Sequence, residues 1–151
     1  MPSHKETKIL PYTAKQMLDL VIDIENYPKF LPWCLASRIR QRINQNHLIA
    51  DLVISFKAFS EKYTSEVKVT TISDDEYRIE VIAIEGPFKN LVNKWHFKNL
   101  SNNGNPSTSI EFFIDFEFRS IILGKMIGVI FEKATNKMID AFEKRAKELY
   151  S

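Results

Sequence analysis

The chain has 151 residues, 44% of them hydrophobic and 26% charged, and its 21 Lys+Arg against 19 Asp+Glu give a formal charge of +2. So even a balance lacks the basic face or tail of an electrostatic nucleic-acid binder and argues against DNA as a partner. One cysteine cannot close an internal disulfide, the N-terminus MPSHKETKILPY lacks the apolar core of a secretory signal, and no run approaches the roughly 18 apolar residues of a membrane span. A cytoplasmic location is expected, with contact at the inner face of the cytoplasmic membrane left open. A chain of this length forms one domain, 1–151, able to bury about 70% of the surface its unfolded form exposes.

A strand is expected from Lys8 to Tyr12. Thr13 to Gln16 then has the form of a capping box, and Ala14, Met17, Leu18 and Val21 recur at helical spacing, predicting a helix to about Ile24. Asn26 is placed to cap a second, short helix through Leu31, with Tyr27, Phe30 and Leu31 on one face and Pro32 as its stop. The period then changes to two. Leu48, Ala50, Leu52, Ile54 and Phe56 alternate with Ile49, Asp51, Val53, Ser55 and Lys57, and further strands are predicted at Leu35–Ile43, Tyr63–Ile72, Tyr77–Ile84, Leu91–Phe97 and Ser109–Phe118. NQN, SDD, EGPFKN and SNNGNPS separate them. The last strand puts Ile110, Phe112, Ile114, Phe116 and Phe118 on one face, interrupted in pattern only by Phe113 on the other.

After Ser120, a suitable N-cap, the stripe Leu123, Ile127, Phe131, Ala134, Met138, Phe142, Arg145, Leu149 predicts one helix of about 30 residues, roughly 45 Å long. This order of elements is satisfied by an α+β arrangement in which a curved antiparallel sheet wraps the C-terminal helix and two short helices follow the first strand. Where sheet and helix diverge, a cavity can open.

YPKFLPWC, YTSEVKV, GPFKNLVNKWHF, IEFFIDFEFRS and AFEKRAKELY, in this order and over nearly the whole chain, resemble the coenzyme Q-binding branch of the START-like, polyketide-cyclase-related family. The resemblance implies the helix-grip fold and a hydrophobic pocket for a polyprenyl quinone, a ubiquinone-like lipid carried or chaperoned in support of respiration. Similar bacterial sequences are described as ribosome-association toxins that bind the large ribosomal subunit and block subunit joining. Eukaryotic members carry a mitochondrial presequence, so the resemblance here implies a bacterial protein.

Residue by residue, Phe30 and Trp33 in YPKFLPWC are candidates for the pocket mouth, or alternatively a hydrophobic plug. Leu91, Asn93, Trp95 and Phe97 share a face, so the Asn93 amide must find a partner, either a quinone carbonyl or water and backbone. Tyr63 and Ser65 share the inward face with Val67 and Val69. Phe88, in the Gly86–Phe88 turn, is a second mouth candidate, and the inner faces of the last strand and helix add Phe112, Phe116, Ile127 and Phe131. Arg38, Arg40 and Arg42 fall on one face of an ideal strand, a basic stripe suited to phosphates of RNA or phospholipid, or simply solvated.

Cys34 reads as a small buried hydrophobe, and Gly124 with Gly128 as room for close packing or for a ligand. His4, His47 and His96 have no metal-like spacing, so neither a metal nor a cofactor is expected. No catalytic residue stands out. Tyr63, Ser65 and Asn93 could orient a polyketide in a cyclase-like reaction, but they offer little general-base power, which ranks catalysis behind binding.

Overall fold

The computed structural model describes residues 3–56, 59–100 and 104–150. In chain order the elements are β1 (Ser3–Leu10), α1 (Ala14–Ile22), a 3-10 helix (Ile24–Lys29), β2 (Cys34–Asn44), β3 (His47–Phe56), β4 (Phe59–Ser73), β5 (Glu76–Glu85), β6 (Phe88–Asn99), β7 (Thr108–Phe118), α2 (Ile121–Asn136) and α3 (Met138–Tyr150). Lys57, predicted at the end of a strand, and residues 101–103 of the predicted polar loop lie outside the described residues.

The seven strands form one antiparallel sheet in the order β1-β7-β6-β5-β4-β3-β2. Alternation sets its two faces. Leu48, Ala50, Leu52 and Ile54 of β3 are buried, as are Tyr63, Ser65 and Val67 of β4, Leu91, Asn93, Trp95 and Phe97 of β6, and all five predicted inward residues of β7. The curved sheet and its C-terminal helices make the expected helix-grip architecture. Phe131 of α2 packs among Phe56, Phe88, Phe116 and Phe118, and Phe142 of α3 meets Trp95 edge-on at 5.1 Å.

The capping box forms as predicted: Thr13 Oγ1 accepts the Gln16 N–H at 3.0 Å and Gln16 Oε1 accepts the Thr13 N–H at 2.9 Å. Ser120 likewise accepts the Leu123 N–H at 3.1 Å. β1 starts earlier than predicted and leaves Tyr12 outside it. The short second helix is a 3-10 turn that begins at Ile24. Asn26 lies inside it and donates to Asp23 Oδ2 at 2.6 Å instead of capping it.

The largest departure is at the C-terminus, where two helices replace the single long one. Thr135 donates its hydroxyl to Glu132 O at 2.9 Å, a local bond that competes with the helical ladder, and Lys137 follows at φ −103°, ψ 7°, outside the α region. Past this break the buried side is Met138, Ile139, Phe142 and Ala146, while Leu149 is 48% exposed. Tyr150 takes the place expected of Leu149 by donating to Gln16 O at 3.0 Å, which ties α3 to α1.

The β5–β6 turn is tighter than EGPFKN implied, with Gly86 and Pro87 as its two residues. Gly86 has φ +127°, and a Cβ there would lie 2.6 Å from Tyr63 Cβ, so conformation and close approach both require glycine.

Candidate functional site

Two spaces lie beside the C-terminal helices. The first is a small cavity of about 40 Å³ between the sheet and α2–α3, lined by Trp33, Tyr63, Ser65, Asn93 and Phe131 from among the predicted pocket residues. Ile24, Tyr27, Thr135 and Met138 complete much of its helical wall. The second is an open groove of about 900 Å³ between the segment Pro28–Trp33 and the outer side of α2–α3. Trp33 and Met138 line both spaces, so these two side chains form the wall between them.

The sizes decide what each space can hold. A preformed site for a drug-sized ligand measures roughly 300–1,000 Å³, whereas a cavity of about 40 Å³ accommodates little more than a water molecule. The interior is therefore almost filled, and the groove is the larger opening.

Five predicted pocket residues sit elsewhere. Phe88, Trp95, Phe112, Phe116 and Ile127 are buried in the packed core and do not line the cavity. Phe88 stacks on Phe118 at 4.9 Å and meets Tyr63 edge-on at 5.3 Å, so it is a core anchor rather than a mouth. Trp95 lies between Phe112 at 4.8 Å and Phe142 at 5.1 Å. Phe30 lines the groove, packed edge-on against Tyr27 and Phe142. In YPKFLPWC, Tyr27, Leu31 and Trp33 are buried in the core, while Phe30, Leu31 and Trp33 line the groove.

Spacing alone does not mark Thr135 and Met138 as cavity residues. A readable signal existed in Thr135, a polar side chain where α2 meets the apolar interior.

The polar groups are mostly committed within the protein. Asn93 Nδ2 donates to Phe113 O at 2.9 Å and its Oδ1 accepts the Trp95 indole N–H at 2.9 Å, so backbone and a neighbour supply the required partners. Tyr27 donates to Val21 O, and burial raises its phenol pKa. Burial also raises the Tyr63 phenol, keeping it neutral. Burial pushes the Cys34 thiol up to about 11, so it stays protonated near neutral pH, as a buried small hydrophobe should. The cavity wall has no Asp, Glu, His or Lys among the described residues.

The arginine stripe is not one surface. Asp51, only 3% exposed, binds Arg38 Nε at 3.1 Å, Arg40 Nη2 at 2.9 Å and the Thr64 hydroxyl at 2.7 Å. Burial opposes its ionisation, but the hydrogen bonds from Thr64, Arg40 and Arg38 outweigh that cost and hold the carboxyl below the ordinary aspartate value. Arg42 goes elsewhere because the β2–β3 register shifts at Arg40. Arg38 opposes outward Asp51, whereas Arg42 opposes inward Leu48 and lines a depression with Asp19, Asp23 and Val67. A bulge of one residue exchanges the faces of a strand, and the ideal-strand reading missed it.

The histidines pair with carboxylates: His4 with Glu6 at 3.0 Å, His47 with Glu66 at 2.8 Å, and His96 with Glu76 at 2.6 Å and Glu111 at 3.2 Å. Gly128 opens to space and Gly124 only touches Phe118. Among the described residues no helix is long and apolar enough to cross a membrane.

Comparison with known proteins supplies the remaining context. Residues 10–143 match the family described as polyketide cyclase / dehydrase and lipid transport. A ribosome association toxin of Rickettsia prowazekii (strain Madrid E) is 51% identical over 150 residues, covering 99% of each chain. A mitochondrial coenzyme Q-binding protein homologue of Xenopus laevis is 30% identical over 149 residues, covering 97% of this chain and 59% of that one. Among solved structures, the solution structure of an 18 kDa protein of Caulobacter crescentus superposes with a TM-score of 0.71 at 34% identity, covering 99% of both chains.

Proposed function

The chain belongs to the polyketide cyclase / dehydrase and lipid transport family, and from that premise we propose that it acts by binding, as a ribosome-association protein that docks on the large ribosomal subunit and hinders subunit joining. The observation that carries this reading is a nearly filled interior in a chain 51% identical, end to end, to a protein named for ribosome association. With little preformed room inside, the work falls to the surface. Absence of an acid or base on the described cavity wall also disfavours a cyclase reaction.

Sucrose-gradient sedimentation with purified subunits tests the proposal. The protein should travel with the large subunit and lower the yield of joined ribosomes in a salt-dependent way. Free protein at the top of the gradient at every magnesium and salt concentration would remove this reading.

A polyprenyl quinone carrier is the second reading, favoured by the Trp33–Met138 wall. Swinging two side chains beside the Lys137 break would join the cavity to the groove and create a longer apolar slot. Each buried methylene of a prenyl tail would contribute about 0.8 kcal/mol. Mass spectrometry of an organic extract of the purified protein should then contain a stoichiometric quinone; an empty extract from a quinone-producing host counts against it.

A further inference from the structure

The open groove has an apolar floor and a cationic rim, a combination that neither reading above requires. Phe30, Trp33, Phe56, Ile130 and Met138 contribute apolar surface, and Lys29, Lys133, Lys137, Lys144 and Arg145 stand around it. Opposing them are two carboxylates, Asp140 and Glu148. Asp140 is already held by Lys8 at 3.1 Å, and Glu148 stands 3.8 Å from Arg145 Nη1. The four rim lysines have no ion-pair partner among the described residues.

Arg145 supplies an independent pointer. Its guanidinium carbon lies 5.5 Å from the centre of the Phe30 ring, and its Nε is buried without a hydrogen-bond acceptor. A buried guanidinium donor without a partner leaves the positive charge undercompensated, and an anionic head in the groove, meeting the exposed part of the same guanidinium, would offset that charge. The guanidinium stands over the Phe30 ring of the aromatic floor, so head-group recognition and chain burial meet at one side chain.

We propose that this groove is a binding site for a single-chain amphiphile with an anionic head, the carboxylate or phosphate lying on Arg145 and Lys144 and the hydrocarbon running along Phe30, Trp33 and Met138. Its volume of about 900 Å³ falls in the range of small-molecule sites. The chemistry differs from that of a quinone, whose head is neutral, and no ribosome contact is involved.

The test is titration of the whole protein with oleate, with oleoyl lysophosphatidate and with monoolein, each below its micellar concentration, read by calorimetry and by Trp33 fluorescence. Monoolein has the same chain with a neutral head. Both anions should bind saturably, one per protein, about tenfold or more tighter than monoolein, and 0.5 M salt should remove most of that preference. A stronger response to lysophosphatidate would identify a phosphate head and a stronger response to oleate a carboxylate; either supports the site.

Arg145→Gln should weaken the anions about tenfold and leave monoolein unchanged. Because Arg145 also packs on Phe30, the exposed pair Lys133→Gln and Lys144→Gln provides a second measurement free of folding effects, with the same expected direction. Equal affinity for monoolein overturns the role of the cationic rim, and absence of saturable binding to all three overturns the groove as a site. Neither outcome bears on ribosome sedimentation.

Discussion

The indole of Trp95 donates to Asn93 Oδ1 at 2.9 Å, and the two residues stand two positions apart on the buried face of β6. Since Asn93 also donates to Phe113 O, its amide is a structural link between β6 and β7. Asn93→Leu should therefore cost about 1–3 kcal/mol by stranding a buried indole N–H. Urea denaturation with near-ultraviolet dichroism of Trp95 measures it. A variant as stable as the parent would show that the amide is dispensable to the fold.

The Asp51 cluster gives stability a pH dependence of definite sign. A carboxyl held lower in the folded chain than its ordinary 3.8 contributes stability that is complete above that value and is lost as pH falls through the lowered one. Asp51→Asn should flatten the acid limb of a stability profile measured from pH 6 to pH 2 and cost about 2 kcal/mol at neutral pH. Arg42→Glu, outside the cluster, should leave that limb in place.

Filling the interior should fail. Ser65 faces a cavity of about 40 Å³ and opposes Ala50 across the β3–β4 ladder, so Ser65→Trp adds far more volume than the space can take. The expected result is destabilisation of about 1–3 kcal/mol, visible as a lowered thermal midpoint. A folded variant of parental stability would mean that the interior opens wider in solution.

Tryptophan fluorescence separates the two interior readings. Trp33 forms part of the wall between groove and cavity, whereas Trp95 is enclosed by Phe97, Phe112 and Phe142. A short-chain quinone should quench Trp33 saturably and leave Trp95 nearly untouched, as compared in Trp95→Phe and Trp33→Phe proteins. This order is the reverse of what the inward position of Trp95 in β6 implies when its neighbours are unknown. Dominant quenching of Trp95 would require the ligand to enter the packed aromatic layer.

Much of the fold was legible because alternation is a local property: the inward residues of β3, β6 and β7 follow from spacing alone. The helix break was not legible, since the apolar repeat runs through Ala134 and Met138 without interruption while the backbone leaves the α region at Lys137. Arg42 was misplaced for a related reason: a bulge changes the count of residues, and composition carries no trace of it. The candidate cavity was half legible. Spacing put Tyr63, Ser65 and Asn93 inward, but the same aromatic residues that could line a pocket can also fill it, as Phe88 and Trp95 do.

An open sheet leaves two edges, and β2 is one of them. Its register shifts three times along its length, between Cys34 and Ala36, Ile39 and Gln41, and Arg42 and Asn44. A neighbouring chain that tried to extend the sheet there would meet a row of amides and carbonyls out of step with any straight strand, and arginine charges along it. The irregularity that moves Arg42 off the stripe thus also guards the molecule against edge-to-edge polymerisation, keeping a β-rich protein dispersed.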